Sequence, residues 1–237
     1  MIPRRNVQCA APCQFIDTCG FFVLRKEGNR PLGNSKNNRS AQRTRAAIQQ
    51  AFYDLAQTKD VSRITVRELT ERSGISRGTF YLHYHDVFDL LGKREREMLA
   101  QLEEVLEDQP LQDGSDLNFP RLYAALCFAR EHRDWALLLL GSVGGLKFRE
   151  DLESLVRREC LEAVEGAYGR LDSWAENAFS KFAAAGYISL VCDWLEDGCK
   201  KDPRDLSEFA GRLISHGVVS IGKQELGEVG VRAARGR

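Results

Sequence analysis

Between Ile64 and Asp89 the chain reads ITVRELTERSGISRGTFYLHYHDVFD, and the reactive side chains in it are hydroxyls, guanidinium groups and two imidazoles. Thr65 stands three residues before Glu68, the spacing at which a hydroxyl and a carboxylate cap one helix start reciprocally. Val66 and Leu69 give that helix an apolar stripe, and Ser73-Gly74-Ile75 ends it. Ser76 is placed to cap a second short helix running to about His83. Two short helices around a Gly-containing turn are the helix-turn-helix signature. The second helix of such a unit can enter the DNA major groove. The chemistry on offer is therefore hydrogen bonding to base edges and phosphates. His83 and His85 are two apart, on different faces of a helix, so the pair does not read as a metal site.

Charge distribution agrees. The net charge is zero, but residues 1–85 carry 14 Lys and Arg against 6 Asp and Glu, and residues 86–237 carry 20 against 28. A basic first third beside an acidic remainder is the asymmetry expected when one end meets a polyanion. An enzyme is not expected. There is no Ser-His-Asp, metal-ligand or phosphate-loop pattern, and no cysteine has an evident base beside it. The seven cysteines are an odd, scattered set, which points to a reducing cytosol rather than a disulfide framework. Cys9, Cys13 and Cys19 cluster loosely without a C-x-x-C pair or a His, so neither metal nor cofactor is expected. No apolar run approaches the ~20 residues of a membrane span, and Asp17 interrupts the apolar stretch behind Arg4 and Arg5, so no secretory signal is read. A cytoplasmic protein is the expectation.

The elements around the motif read as helical throughout. Residues 1–38 show no period and are expected to be a disordered arm or an extension upstream of the true start. Residues 39–59 form a helix with Ile48, Ala51, Phe52, Leu55 and Ala56 on one face. Arg39, Arg43 and Arg45 crowd its start, where cations oppose the dipole and phosphate would compensate. Asp86 caps a fourth helix to about Glu107. Pro110 and Gly114 mark a break at 108–118. Further helices are expected at about 120–130, 135–140, 148–168, 173–197 and 204–222. The prediction is an all-α protein of about nine helices. A helix-turn-helix domain with its connecting helix spans 39–107, a regulatory and dimerisation bundle 108–225, and a flexible tail 226–237.

Residues 40–95 resemble the N-terminal DNA-binding domain of the TetR family of bacterial transcriptional regulators. The resemblance rests on the stripe around Ala51-Phe52, on Thr65-x-x-Glu68-Leu69, and above all on Gly74-Ile75-Ser76-Arg77-Gly78-Thr79-Phe80-Tyr81-Leu82-His83-Tyr84. WLEDG at 194–198, before Pro203 and a last amphipathic helix, is similar to one C-terminal subgroup. The resemblance implies that Ser76, Arg77, Gly78 and Thr79 open the recognition helix toward base edges. It implies that Thr65, Tyr81 and His83 meet phosphates and that Arg67 lies near the groove. An Arg paired bidentately with guanine discriminates by about 1–3 kcal/mol. One departure stands out. Val87 occupies the position where the family commonly has a phosphate-binding Lys, which leaves His85 or Lys93 as substitutes and implies a shallower salt dependence.

In the C-terminal half, Phe179, Phe182, Ala183, Gly186, Tyr187, Leu190, Val191 and Trp194 recur at helical spacing, as do Leu206, Phe209, Ala210, Leu213, Ile214 and Val218. The family pairs its last two helices across a two-fold axis. The resemblance thus implies a homodimer on a palindromic double-stranded operator, with Phe182, Gly186, Tyr187, Leu190, Trp194, Phe209 and Leu213 at the interface. A small-molecule effector would sit among aromatics such as Phe128, Trp135, Phe148 and Phe179, with Phe119 and Trp174 as further candidates. Each of these is also a plausible plain core residue. The expected function is a repressor released by such an effector. The alternative is an adaptor or activator controlled by a partner protein. A ligand-sized cavity favours the first; a filled core with an exposed apolar patch favours the second.

Overall fold

The computed structural model describes residues 35–109, 119–141, 143, 145–168 and 172–214. Cys9, Cys13, Cys19, the expected arm up to residue 34 and the tail 226–237 lie outside them. Among the described residues every regular element is helical.

The first helix, α1 (Ser35–Ala56), starts four residues before the expected position, so Asn37 and Asn38 are helical. No Gly or Pro occurs from 35 to 59, and a packed helix extends back through mediocre formers at small cost per residue. Its buried stripe is Ile48, Ala51, Phe52 and Ala56. A 3-10 turn, η1 (Val61–Arg63), has no counterpart in the periodicity. It is set by Asp60, whose carboxylate accepts from the Ser62 amide at 2.9 Å, and it buries Val61. Next come α2 (Val66–Ser73), α3 (Arg77–Tyr81) and α4 (Val87–Glu107). Asp86 caps α4 by accepting from the Asp89 amide at 2.8 Å.

The remaining helices are α5 (Phe119–Glu131), α6 (Arg133–Leu140), α7 (Leu146–Tyr168), α8 (Ser173–Glu196) and α9, described over 203–214. Asp172 caps α8 through the Trp174 and Ala175 amides. The turn into α9 uses left-handed backbone at Gly198 (φ 83°) and Cys199 (φ 56°), with Pro203 as first helical residue.

The core is continuous between the two halves. Phe52, Leu69, Phe80, Tyr84 and Leu90 of the N-terminal helices share one cluster with Phe128, Leu138, Leu139 and Phe148. Trp135 of α6 lies flat on Phe52, with centroids 5.9 Å apart and ring planes 2° from parallel. The buried Arg94 of α4 sits 5.1 Å from the same Trp135 ring. The helix-turn-helix therefore rests on α6 as well as on α4. Trp194, Leu195, Leu126, Ala136 and Leu206 form a second cluster, and Val164, Phe179 and Ala183 a third.

Two histidines tie this packing to pH. Burial against Phe128, 4.5 Å away between rings, pushes His132 below its ordinary value, aided by Arg94. Burial does the same to His83, with Arg45 and Lys93 adding repulsion. Below the unfolded value near 6.5 the unfolded chain takes up protons that the folded one resists, so stability falls as pH drops. The urea midpoint is expected to decline from pH 7.5 to 5.5, and His132→Gln to flatten that decline. Acidic groups act in a lower window: Glu68, held down to about 2 chiefly by Lys59, loses its contribution below its ordinary 4.5.

Candidate nucleic-acid interface and the cavity behind it

The helix-turn-helix is fixed by local chemistry. The Thr65 hydroxyl accepts from the Glu68 amide at 3.3 Å, and the Glu68 carboxylate accepts from the Thr65 amide at 3.1 Å, a complete capping box. Lys59 pairs with the same carboxylate and ties the turn after α1 to α2. Gly74 ends α2 at φ 69°, in the left-handed region where a Cβ is strained. Its amide and that of Ile75 both donate to the Thr70 carbonyl, which completes the turn. The Ser76 hydroxyl then accepts from the Thr79 amide at 3.0 Å and lies 2.9 Å from the Thr79 hydroxyl. Phe80 anchors the underside of α3, fully buried, with Tyr84 5.7 Å away.

This leaves one side of α3 bare. Ser76, Arg77 and Gly78 are exposed, and Thr79 and His83 are half-buried at the edge. Arg77 makes no hydrogen bond or ion pair among the described residues, so its five donors are available. Gly78 leaves its backbone open, because an added Cβ would meet nothing nearer than the Ser76 hydroxyl at 3.7 Å. Thr65 and Tyr81 are exposed nearby, Tyr81 packing edge-on against Phe80. Arg67 is exposed but engaged with Glu71 at 2.7 Å, so a phosphate would compete with that carboxylate. Leu82, 82% exposed, and Phe88 add apolar surface here that periodicity alone did not signal.

The missing Lys has a structural counterpart. Val87 is buried in the core and cannot reach outward. Lys93 is no free substitute, since it donates to the His83 carbonyl and to Asp89, each at 2.9 Å. The exposed His85 is the remaining candidate.

Behind the head lies an apolar cavity of about 130 Å³, with walls from α4 to α9. Phe128 and Phe148 line it. The other two aromatics expected there do not. Trp135 points to the opposite side of α6, onto Phe52 and Tyr53, and Phe179 packs with Val164 and Ala183. Trp174 is 77% exposed at the start of α8. Sequence reasoning missed the aliphatic walls, Met98, Leu102 and Val156 among them, and the pair of Arg121 and Glu159, 2.6 Å apart. Apolar periodicity carries no signal that separates a cavity wall from solid core.

The expected interface residues divide. Phe182, Gly186, Phe209 and Leu213 are exposed, and with Trp174, Ala178 and Ala185 they make a stripe across α8 and α9. Tyr187 and Trp194 turn inward instead. Tyr187 lines the cavity and donates to the Leu122 carbonyl at 3.4 Å, and Trp194 is buried and donates to the Lys201 carbonyl at 2.9 Å. Both rings lie on the face of α8 that this subunit already covers. Leu190 is half-buried against the same core. No helix among the described residues is long and apolar enough to cross a membrane, and no three His, Cys, Asp or Glu side chains among them gather as a metal site.

Comparison with known proteins agrees with this architecture. The family model for the transcriptional regulator C-terminal region of TetR type matches residues 119–216. An uncharacterised HTH-type transcriptional regulator, YxbF of Bacillus subtilis (strain 168), is 24% identical over 173 residues, or 72% of this chain. The chain spans 44% of the length of that curated relative. A TetR transcriptional regulator from Streptococcus agalactiae 2603V shares the fold at a TM-score of 0.57 and 23% identity, over 75% of this chain and 97% of the other. NalD, the secondary repressor of the MexAB-OprM multidrug efflux pump in Pseudomonas aeruginosa, does so at 0.53 and 20% identity, over 75% and 97%. The capped helix-turn-helix thus precedes, in one chain, a C-terminal region that matches a family of transcriptional regulators, and the fold is shared with solved regulators of TetR type.

Proposed function

We propose that the chain is a homodimeric repressor that reads a roughly palindromic operator and leaves it when a small molecule occupies the C-terminal half. The observation that carries the reading is the exposed Arg77, without a partner among the described residues, at the start of a helix whose position is fixed by the Ser76 cap, the Gly74 turn and buried Phe80. A short, capped helix with an exposed guanidinium at its leading end suits base recognition. In this reading Ser76, Gly78 and Thr79 accompany Arg77 at the bases, while Thr65, Arg67, Tyr81 and His83 meet the backbone and set register. The head and its connecting helix end near residue 107, and the regulatory part follows the break at 108–118.

The stripe of Phe182, Gly186, Phe209 and Leu213 supports a two-fold partner. Large exposed apolar side chains flanked by small ones suit close helix pairing, and the contact would be self-complementary. A ligand-sized cavity supports control by a small molecule, acting by population shift between head spacings.

The test combines assembly with binding. Sedimentation of the wild type is expected to give a dimer, and footprinting on DNA upstream of its own gene a protected, nearly symmetric site. Phe182→Glu would place two carboxylates across the axis. It is expected to yield a folded monomer whose operator affinity falls by about 100-fold or more, since the second half-site no longer binds intramolecularly. A wild-type monomer, or a monomeric variant with full affinity, would overturn the dimer reading.

A further inference from the structure

We propose that the cavity takes a small, uncharged, largely apolar molecule and selects against carboxylates and phosphates, so that the effector class is a neutral hydrocarbon or simple alcohol. This rests on the effector-responsive reading above. Size is the first argument. The cavity holds about 130 Å³, and an apolar protein cavity of ~150 Å³ accommodates benzene.

Lining chemistry is the second argument. Met98, Leu102, Phe128, Phe148, Val156 and Ile188 present hydrocarbon or a thioether. The charged lining groups are Arg121 and Glu159. They do not form a free cation site. Arg121 is largely buried and donates to Glu159 at 2.6 Å and to Glu162 at 3.3 Å, one guanidinium between two carboxylates. The guanidinium is already engaged, with Arg158 acting on the same two carboxylates from outside, and an incoming anion must displace a carboxylate from Arg121 in a partly desolvated place, which is costly. Tyr187 offers a neutral handle: its hydroxyl donates to the Leu122 carbonyl at 3.4 Å and keeps an oxygen able to accept. Burial pushes the Cys160 thiol up to about 11, so this lining group stays an uncharged thiol at neutral pH.

The matched probes are 1-hexanol and hexanoate, with benzene as the fully apolar member. Calorimetric titration of the full chain at pH 7.5 is expected to show saturable binding of hexanol and benzene, with hexanoate at least about tenfold weaker. Glu159→Gln is expected to narrow that gap by releasing Arg121. Val156→Phe fills the cavity and is expected to abolish hexanol binding with the footprint intact, and Ala125→Leu serves the same purpose if that variant fails to fold. Hexanoate binding as well as hexanol, hexanol binding that survives both filled variants, or no binding of either neutral probe each overturns the proposal. Operator affinity measured with the same compounds separates the two ideas. Hexanol that binds in the cavity but leaves the operator complex unchanged upholds the ligand class and overturns the effector role.

Discussion

Replacing Arg77 by Ala is expected to erase the footprint on the operator while leaving the fold intact. The side chain is exposed and holds no partner among the described residues, so its removal opens no cavity and strands no charge. Substitutions at such positions usually change stability within about 0.5 kcal/mol. Recognition should behave differently. A bidentate Arg–guanine contact discriminates by about 1–3 kcal/mol, and a two-fold complex contains two of them, so the loss is about 2–6 kcal/mol, or roughly thirtyfold to twenty-thousandfold. Arg77→Lys keeps the charge but not the planar fork, and should retain binding to random DNA at low salt while losing preference for the operator. Titration of operator and scrambled duplexes at two salt concentrations reads both effects. Equal operator affinity in wild type and Arg77→Ala would place the recognition elsewhere.

Phe52→Ala is expected to have the largest effect on stability. Phe52 is fully buried, and truncation of a buried aromatic costs about 3–5 kcal/mol through lost transfer energy and the cavity left behind. That is a large part of the ~5–15 kcal/mol by which domains are stable. Trp135 is only half-buried, so Trp135→Ala should cost less. The two should not add. Their rings are stacked 5.9 Å apart, and such pairs carry about 0.5–1.5 kcal/mol beyond burial, so the double variant should be milder than the sum by that amount. Urea denaturation with unchanged m-values reads the cycle. Additivity would mean that α6 merely lies beside the DNA-binding head. Coupling would show that it is energetically joined to it, one residue before the cavity-lining Ala136.

The candidate site was legible because its determinants are local. Thr65 with Glu68, Ser76 with Thr79 and Asp86 with Asp89 each act within four residues, and Gly74 supplies its left-handed turn alone. Capping needs no distant partner, so the starts of α2, α3 and α4 follow from residue order. The longer helices follow from apolar period, apart from the early start of α1 and the 3-10 turn at Val61, which has too few residues to show a period.

What the chain order determined by itself, then, is an all-helical protein with a helix-turn-helix between residues 65 and 81, and Arg77 at the start of its second helix. What only the tertiary structure decided is the fate of each apolar side chain beyond the motif. Trp135 joins the head, Trp194 and Tyr187 turn inward, Trp174 and Phe182 face out, and Arg121 is spent on Glu159. Periodicity states that a residue lies on an apolar face. Whether that face meets its own core, an empty cavity or a second subunit depends on helices tens of residues away, and their approach is set by packing that no local spacing encodes.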